Sequence, residues 1–258
     1  MKRKPKKICQ CALLILFLHI LLMNMLPAQN TNYPVDAIPG AIDVSPMGAA
    51  TYTIPIEVVP GTQGMQPNLS IVYNSAGGMG LLGMKWNLAG LSAITRCGQT
   101  QYYDGRIREI LFGVPKIFAL DGERLITTKT IDANGIQLEL AAETENFTRV
   151  YAHGGNSRTY PTTHFTVYTD DGNVIEYGHT NDAKQKLGTT DGSILSWYIN
   201  KVTDANGNYM TYEYVKNGNE IVIDNIQYTG NGSDSNNVFE RMAFFSVNSV
   251  VFHGAKIK

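Results

Sequence analysis

Cysteine is nearly missing from this chain. Of three, Cys9 and Cys11 fall in the first eleven residues, and only Cys97 lies further in. A lone cysteine closes no internal disulfide, so the body of the protein must stand on its core. Cys97 itself reads as a small buried apolar residue. Helix signals are as scarce: no stretch sustains apolar residues at 3.6-residue spacing between caps. Positive charge is also in short supply. The 21 Lys+Arg nearly balance 22 Asp+Glu, but five of those cations crowd into positions 2–7. Without them 16 cations face 22 acids, a net charge of −6. That offers nucleic acid no electrostatic footing.

The five cations (Lys2, Arg3, Lys4, Lys6, Lys7) precede an apolar run from Cys11 to Leu26, which Pro27-Ala28 break. A basic segment, an apolar segment and a small residue at the end predict a secretory signal peptide over 1–28. Cleavage is expected after Ala28, leaving Gln29 as the first mature residue, although Leu26 at −3 is not small. The alternative is an uncleaved anchor; the run is short for a span and carries His19 and Asn24. With cleavage, the membrane is met only in transit.

Residues 29–47 hold three prolines without periodicity and read as a linker or extended arm. Beyond them β signals are dense. "ATYTIPIEV" alternates, with Tyr52, Ile54, Ile56 and Val58 on one face, and Pro55 marks an edge or a strand end. "PNLSIVYNS" and "LSAITR" are the next strands. Several short strands fill 108–131, with turns at Gly113-Val114-Pro115 and Asp121-Gly122. Asn134-Gly135, Asp171-Gly172 and Asn206-Gly207 each divide two runs of β-branched and aromatic residues. This predicts three hairpins with type I′ turns. Residues 229–237 read as a polar loop, before an apolar strand-like run and an abrupt ending.

Gly78-Met79-Gly80-Leu81-Leu82-Gly83 spells G-x-G-x-x-G after a strand. A dinucleotide site needs a helix next, its N-terminus facing the pyrophosphate. The next segment is instead "MKWNLAGLSAITRCG", which carries Gly90 and reads as short strands. Asp104 lies near the distance of a ribose-binding acid, but no parallel strand leads to it. The pattern is therefore expected to be a glycine-rich β-corner, with Leu81, Leu82 and Trp86 buried.

Other chemistry fails on spacing. Glu143-Thr-Glu145 spells E-x-E but reads as an exposed charged turn. His153, His164, His179 and His253 form no pair at ligand spacing, so zinc is not expected. Asp204-Ala-Asn-Gly-Asn208 begins like a calcium loop, yet Gly207 is at position 4 and Val215 at position 12; a hairpin turn explains it. Sequons begin at Asn68, Asn146 and Asn231. No catalytic, cofactor-binding or metal-ligating set emerges.

Residues 48–96 carry Tyr52-Thr-Ile-Pro-Ile56, Pro60-Gly61, Pro67-Asn-Leu-Ser-Ile-Val-Tyr-Asn-Ser75, Gly80-Leu-Leu-Gly83, Trp86 and Leu91-Ser-Ala-Ile-Thr-Arg96. This stretch closely resembles the opening module of the SpvB family and of toxin-complex B subunits, relatives of Rhs and YD-repeat proteins. Lys85 departs from it, where the family usually has Gly. The likeness continues more loosely to about residue 230, through "FALDGERLI", "FTVYTDDGNVIEYG" and "ILSWYINKVTDANGNYMTYEY". It implies an all-β fold of antiparallel hairpins and meanders, the opening part of a β-rich shell. It also implies a structural, non-catalytic role in a secreted virulence protein, with further shell segments or a toxin polypeptide as partners. Residues 48–230 would be that module and 231–258 a divergent tail, with the chain expected to be a truncated copy. Open sheet edges invite pairing, with another copy if no other strand is present.

The alternative is a stand-alone surface β-sandwich that binds glycans or a receptor through exposed tyrosines. Tyr102-Tyr103 and Tyr209, Tyr212 and Tyr214 are the conspicuous groups among 14 tyrosines, although ordinary cross-strand pairing explains them better.

Overall fold

The computed structural model describes residues 40–113, 116–144, 147–154, 161–188, 193–217, 220–232, 240–246 and 250–256. The signal peptide, with its cleavage point at Ala28 and Gln29, lies outside them, as do Val114-Pro115 and Glu145. Residues 40–258 form one compact unit, and among its described residues nearly all regular structure is antiparallel β, as the sequence predicts.

The chain opens with β1 Ala41–Val44, β2 Ala50–Pro55 and β3 Ser70–Asn74. After a small hairpin, β4 Met79–Gly80 and β5 Gly83–Met84, comes β6 Trp86–Ala89. A four-stranded sheet results, in the order β1-β2-β3-β6. Pro55 is the last residue of β2, which pairs on both sides, so strand end is the correct reading of that proline. The alternation continues past it: Ile56 and Val58 pack against the core while Glu57 and Val59 are exposed.

A second, larger sheet begins at β7 Ala93–Arg96. It continues with β8 Phe118–Leu120, β9 Glu123–Ala133, β10 Ile136–Ala142, β11 Arg149–Gly154, β12 Thr162–Tyr168 and β13 Val174–Tyr177. Then come β14 Lys184–Lys186, β15 Ile194–Thr203, β16 Asn208–Asn217, β17 Glu220–Asn231, β18 Glu240–Ser246 and β19 Val250–Lys256. Strands β7 to β13 pair in succession, and β15 pairs with both β7 and β13. These eight strands close into a barrel, from which β16 to β19 extend as an open sheet.

Eight strands leave an interior that side chains can fill. Here Phe118, Phe165 and Trp197 fill it, each wholly buried. They come from β8, β12 and β15, no two of which are neighbours in the ring, so their contacts cross the lumen. Phe118 and Phe165 meet edge to face at 4.9 Å, Phe165 and Trp197 at 4.9 Å, and Phe118 and Trp197 at 5.6 Å. The indole is tied off by a 3.1 Å bond from Trp197 Nε1 to the Thr163 carbonyl. Ile94, Leu140, Val150, Tyr177 and Ile194 are buried in the same cluster.

The turns differ in part from expectation. At Asn134-Gly135 both φ angles are positive, 54° and 75°, as a type I′ turn requires. Asp121-Gly122 has the same signs, 50° and 90°. At Asp171-Gly172 and Asn206-Gly207 only the glycine is left-handed. These two are three-residue loops: Gly172 N–H donates to the Thr169 carbonyl and Gly207 N–H to that of Asp204. The anchoring residue explains the change. Asp204 Oδ1 accepts from the backbone of Asn206 and Asn208, which stabilises a tight turn ahead of the glycine.

Two further corrections concern boundaries. The polar loop expected from residue 229 is strand through Asn231, because Asn231 Nδ2 donates to Asn208 Oδ1 at 2.9 Å across the β16–β17 ladder. A single helical turn, Gln101–Asp104, was not expected. It runs between Thr100, whose hydroxyl accepts from Tyr103 N–H, and Gly105 at φ 64°.

Replacing Phe165 by Ala removes one leg of the aromatic plug. It should cost about 3–5 kcal/mol, read from urea unfolding, because a packed lumen collapses poorly around a void.

Candidate functional site

The glycine fingerprint is a corner, not a phosphate cradle. Gly80 and Gly83 face each other across the β4–β5 hairpin, and the chain then enters β6, with no helix at the expected position. A Cβ on Gly80 would stand 2.1 Å from the Trp86 carbonyl oxygen, and one on Gly90 2.1 Å from that of Asn68. These positions exclude side chains because backbone passes against backbone. Leu82 packs on the core and Trp86 is half-buried against Tyr73, ring centroids 5.2 Å apart. Leu81 is not buried as expected. At the hairpin tip, it points outward and is 39 % exposed. Lys85 sits at φ 67°, so the glycine usual there matches a left-handed backbone that Lys85 adopts under strain.

Arg96 closes the same motif and does structural work. It is 3 % exposed; its Nε donates to the Ile194 carbonyl at 2.8 Å. Its guanidinium lies 5.3–5.4 Å from the ring centres of Phe112, Phe118 and Trp197. Nη2 has no hydrogen-bond partner among the described residues, so aromatic faces serve instead. Burial lowers its pKa to about 10.

The remaining candidates disperse. Asp104 ends the helical turn and pairs with Arg124 at 3.2 Å. Glu143 is exposed and bonded to the Tyr103 hydroxyl. Cys97 is half-buried rather than buried, beside Arg124 and Asp104; burial still pushes its thiol up. Tyr212 and Tyr214 are core residues, the latter donating to the Ile199 carbonyl at 2.7 Å, whereas Tyr102 is 81 % exposed.

Asp204 is a structural acid, as the hairpin reading requires. Burial pushes its pKa up, but bonds from Asn208, Asn206 and Gly207 outweigh this and hold it below the usual value. Asn208 Nδ2 alone reaches Asp204 Oδ2 at 2.7 Å. Gln63, in the 3-10 turn Thr62–Gly64, accepts from Asn206 Nδ2 at 2.9 Å and so joins the opening segment to this hairpin.

Spacing rules missed one cluster. His153 and His164 are direct cross-strand partners on β11 and β12, with parallel rings 4.5 Å apart. His179, just past β13, lies 4.1 Å from His164. The nearest sequence separation is 11 residues, so only hairpin register could have revealed it. Stacked rings do not converge on one point, and among the described residues no group of His, Cys, Asp and Glu is arranged to hold a metal. Two open grooves flank this wall. One, of about 420 Å³, is lined by Ile136, Arg149, Tyr151, His153 and Tyr168. The other, of about 560 Å³, carries Asp182, Glu213, Asp224 and Lys201.

The family described as Salmonella virulence plasmid 65kDa B protein, SpvB, matches residues 44–246. The chain belongs to the SpvB family. That match begins in β1 and runs through β18. Solved structures agree in fold. The N-terminal domain of effector protein SpvB from Salmonella typhimurium strain LT2 is 18% identical, with TM-score 0.56, over 74% of this chain and 72% of that one. The TcdB2-TccC3 crystal structure is 16% identical, with TM-score 0.65, over 80% of this chain but only 12% of that one. The Photorhabdus luminescens Tc holotoxin pore, with the TccC3-D651A mutation, is 14% identical, with TM-score 0.60, over 90% of this chain and 13% of that one. This chain thus spans about an eighth of the toxin-complex chains it resembles. No curated protein matches it in sequence.

Lys85→Gly should relieve the left-handed strain and raise stability by about 0.5–1 kcal/mol, while Gly80→Ala should destabilise, both read by thermal melting. Asp204→Asn should flatten the acid limb of stability. The folded pKa of Asp204 lies below its unfolded value, so its contribution is present above a pH of about 4 and disappears as pH falls through the lowered pKa.

Proposed function

We propose that this chain is a non-catalytic building module that contributes strands to a β shell carrying or enclosing a toxin polypeptide. One observation carries the reading. Residues that mark the family are occupied with backbone approach, strand pairing and core filling. Gly80 and Gly90 admit neighbouring backbone, and Arg96 braces the barrel plug. An exported protein, released by cleavage between Ala28 and Gln29, fits a role outside the cytoplasm, and the net charge of −6 fits protein rather than nucleic acid partners.

Strand β1 supplies a means of joining. Among the described residues it is an edge of its sheet, with Ile42 81 % and Val44 65 % exposed. Edges of this kind pair with other strands. In a longer assembly the partner is a further shell segment; for the isolated chain it is another copy.

Light scattering of the purified mature chain tests this. Concentration-dependent association is expected, and Ile42→Lys with Val44→Lys should shift it to monomer. NAD should give no saturable binding. A strict monomer that saturably binds NAD or a glycan would overturn the shell reading.

A further inference from the structure

We propose that His153, His164 and His179 form a proton-sensitive latch that holds the barrel wall of β11, β12 and β13 together while the rings are neutral and loosens it when acid charges them. The geometry carries this. The three rings lie side by side: His153 and His164 stack in parallel at 4.5 Å across β11 and β12, and His179, just past β13, meets His164 at 4.1 Å with its plane tilted by 58°. Two neutral imidazoles attract at that separation, and two imidazoliums repel. His153 Nε2 is buried, with no hydrogen-bond partner among the described residues. A proton gained there would meet no acceptor.

Little counter-charge faces the column. On β11, Arg149 lines the same groove as His153; on β10, the residue opposite His153 is the apolar Ile136. On β12, the Thr163 hydroxyl lies 2.9 Å from His164 Nδ1. Lys184 of β14 and Lys201 of β15 add positive charge. Among the described residues Glu176 of β13 opposes them, 3.7 Å from His179 Nδ1, and a hydrogen bond to the Phe165 backbone also favours the charged form of His179. Asn200 on β15 accepts the His179 backbone N–H at 3.0 Å and so fixes its position.

Burial, then the His179 and His153 rings and lastly Lys184, pushes His164 down to about 3; burial first also lowers His153 and His179. These lowered values set the direction of the effect. Above the ordinary histidine value of about 6.5 both closed and open states are neutral and the latch is fully effective. As pH falls below it, the open state takes up protons first, so closure weakens progressively towards the lowered values. Asp204 and other carboxylates with depressed values act at lower pH, so the window between pH 7.5 and 5 isolates the histidines.

Hydrogen exchange of the full chain, corrected for intrinsic rates, reads this directly. Opening of the segments 149–154, 162–168 and 174–179 should rise between pH 7.5 and pH 5, by roughly thirtyfold from His164 alone. The β16–β17 hairpin should change less. His164→Phe keeps a stacking ring without a titrating proton and should flatten the response. Equal protection at both pH values in the native chain, or an undiminished response in His164→Phe, would overturn the proposal. If that variant does not fold, the native chain's exchange decides alone.

Discussion

Everything in the barrel depends on β15 pairing differently along its two halves. Trp197 and Tyr198 lie opposite Ile94 and Ala93 of β7, whereas Ile199 to Thr203 lie opposite β13. Tyr198 shows how the flanks divide. Its N–H donates to Ala183 and its carbonyl accepts from Gly178, while the next N–H, of Ile199, turns to Ser92 on the opposite flank. One flank therefore carries β14 and then β13, and the other β7 and then β16. Pairing with β13 on the first flank and with β7 on the second closes the ring, and β16 then departs from the second. The side chains of β15 follow this central position: Ile194, Trp197, Ile199 and Val202 are buried, and so are the polar Ser196 and Asn200.

Three of the family's signature residues, Gly80, Gly90 and Arg96, have structural roles. Glycines at 80 and 90 mark places where carbonyl oxygens of Trp86 and Asn68 occupy the space of a Cβ. Arg96 sits over the rings of Phe118 and Trp197. A planar, weakly hydrated cation stacks there at lower cost than an ammonium would. A G-x-G-x-x-G string thus arises from steric need in a β-corner as readily as from phosphate binding, and the element after it decides which.

The hairpins and the all-β class were legible because they are local. Asn-Gly and Asp-Gly pairs fall within a few residues of the strands they join, so composition carries the signal. Turn type was less legible. It depends on how the residue that opens the loop binds the backbone: Asp204 Oδ1 accepts from the N–H groups of Asn206 and Asn208, and Thr169 Oγ1 from that of Asn173. The helical turn at Gln101–Asp104 was legible only through its caps, Thr100 and Gly105, since four residues show no periodicity. Ring closure by β13 and β15 was not legible at all, because 16 residues and β14 intervene between them. The histidine column had the same cause. His153 and His164 fail every local spacing rule, and become neighbours only through the β11–β12 register.

That register also places the column and the plug back to back. On β12, His164 faces outward and Phe165 inward, while Thr163 touches both sides of the wall. Its hydroxyl meets His164 Nδ1, and its carbonyl receives the Trp197 indole N–H. Trp197 belongs to β15, the strand on which closure rests. Displacing His164 therefore acts on a residue bonded to the closing strand, through two hydrogen bonds of about 3 Å. A packed core resists gradual deformation, so the wall either keeps this joint or gives it up. Inner plug and outer stack are, for this reason, two faces of one constraint.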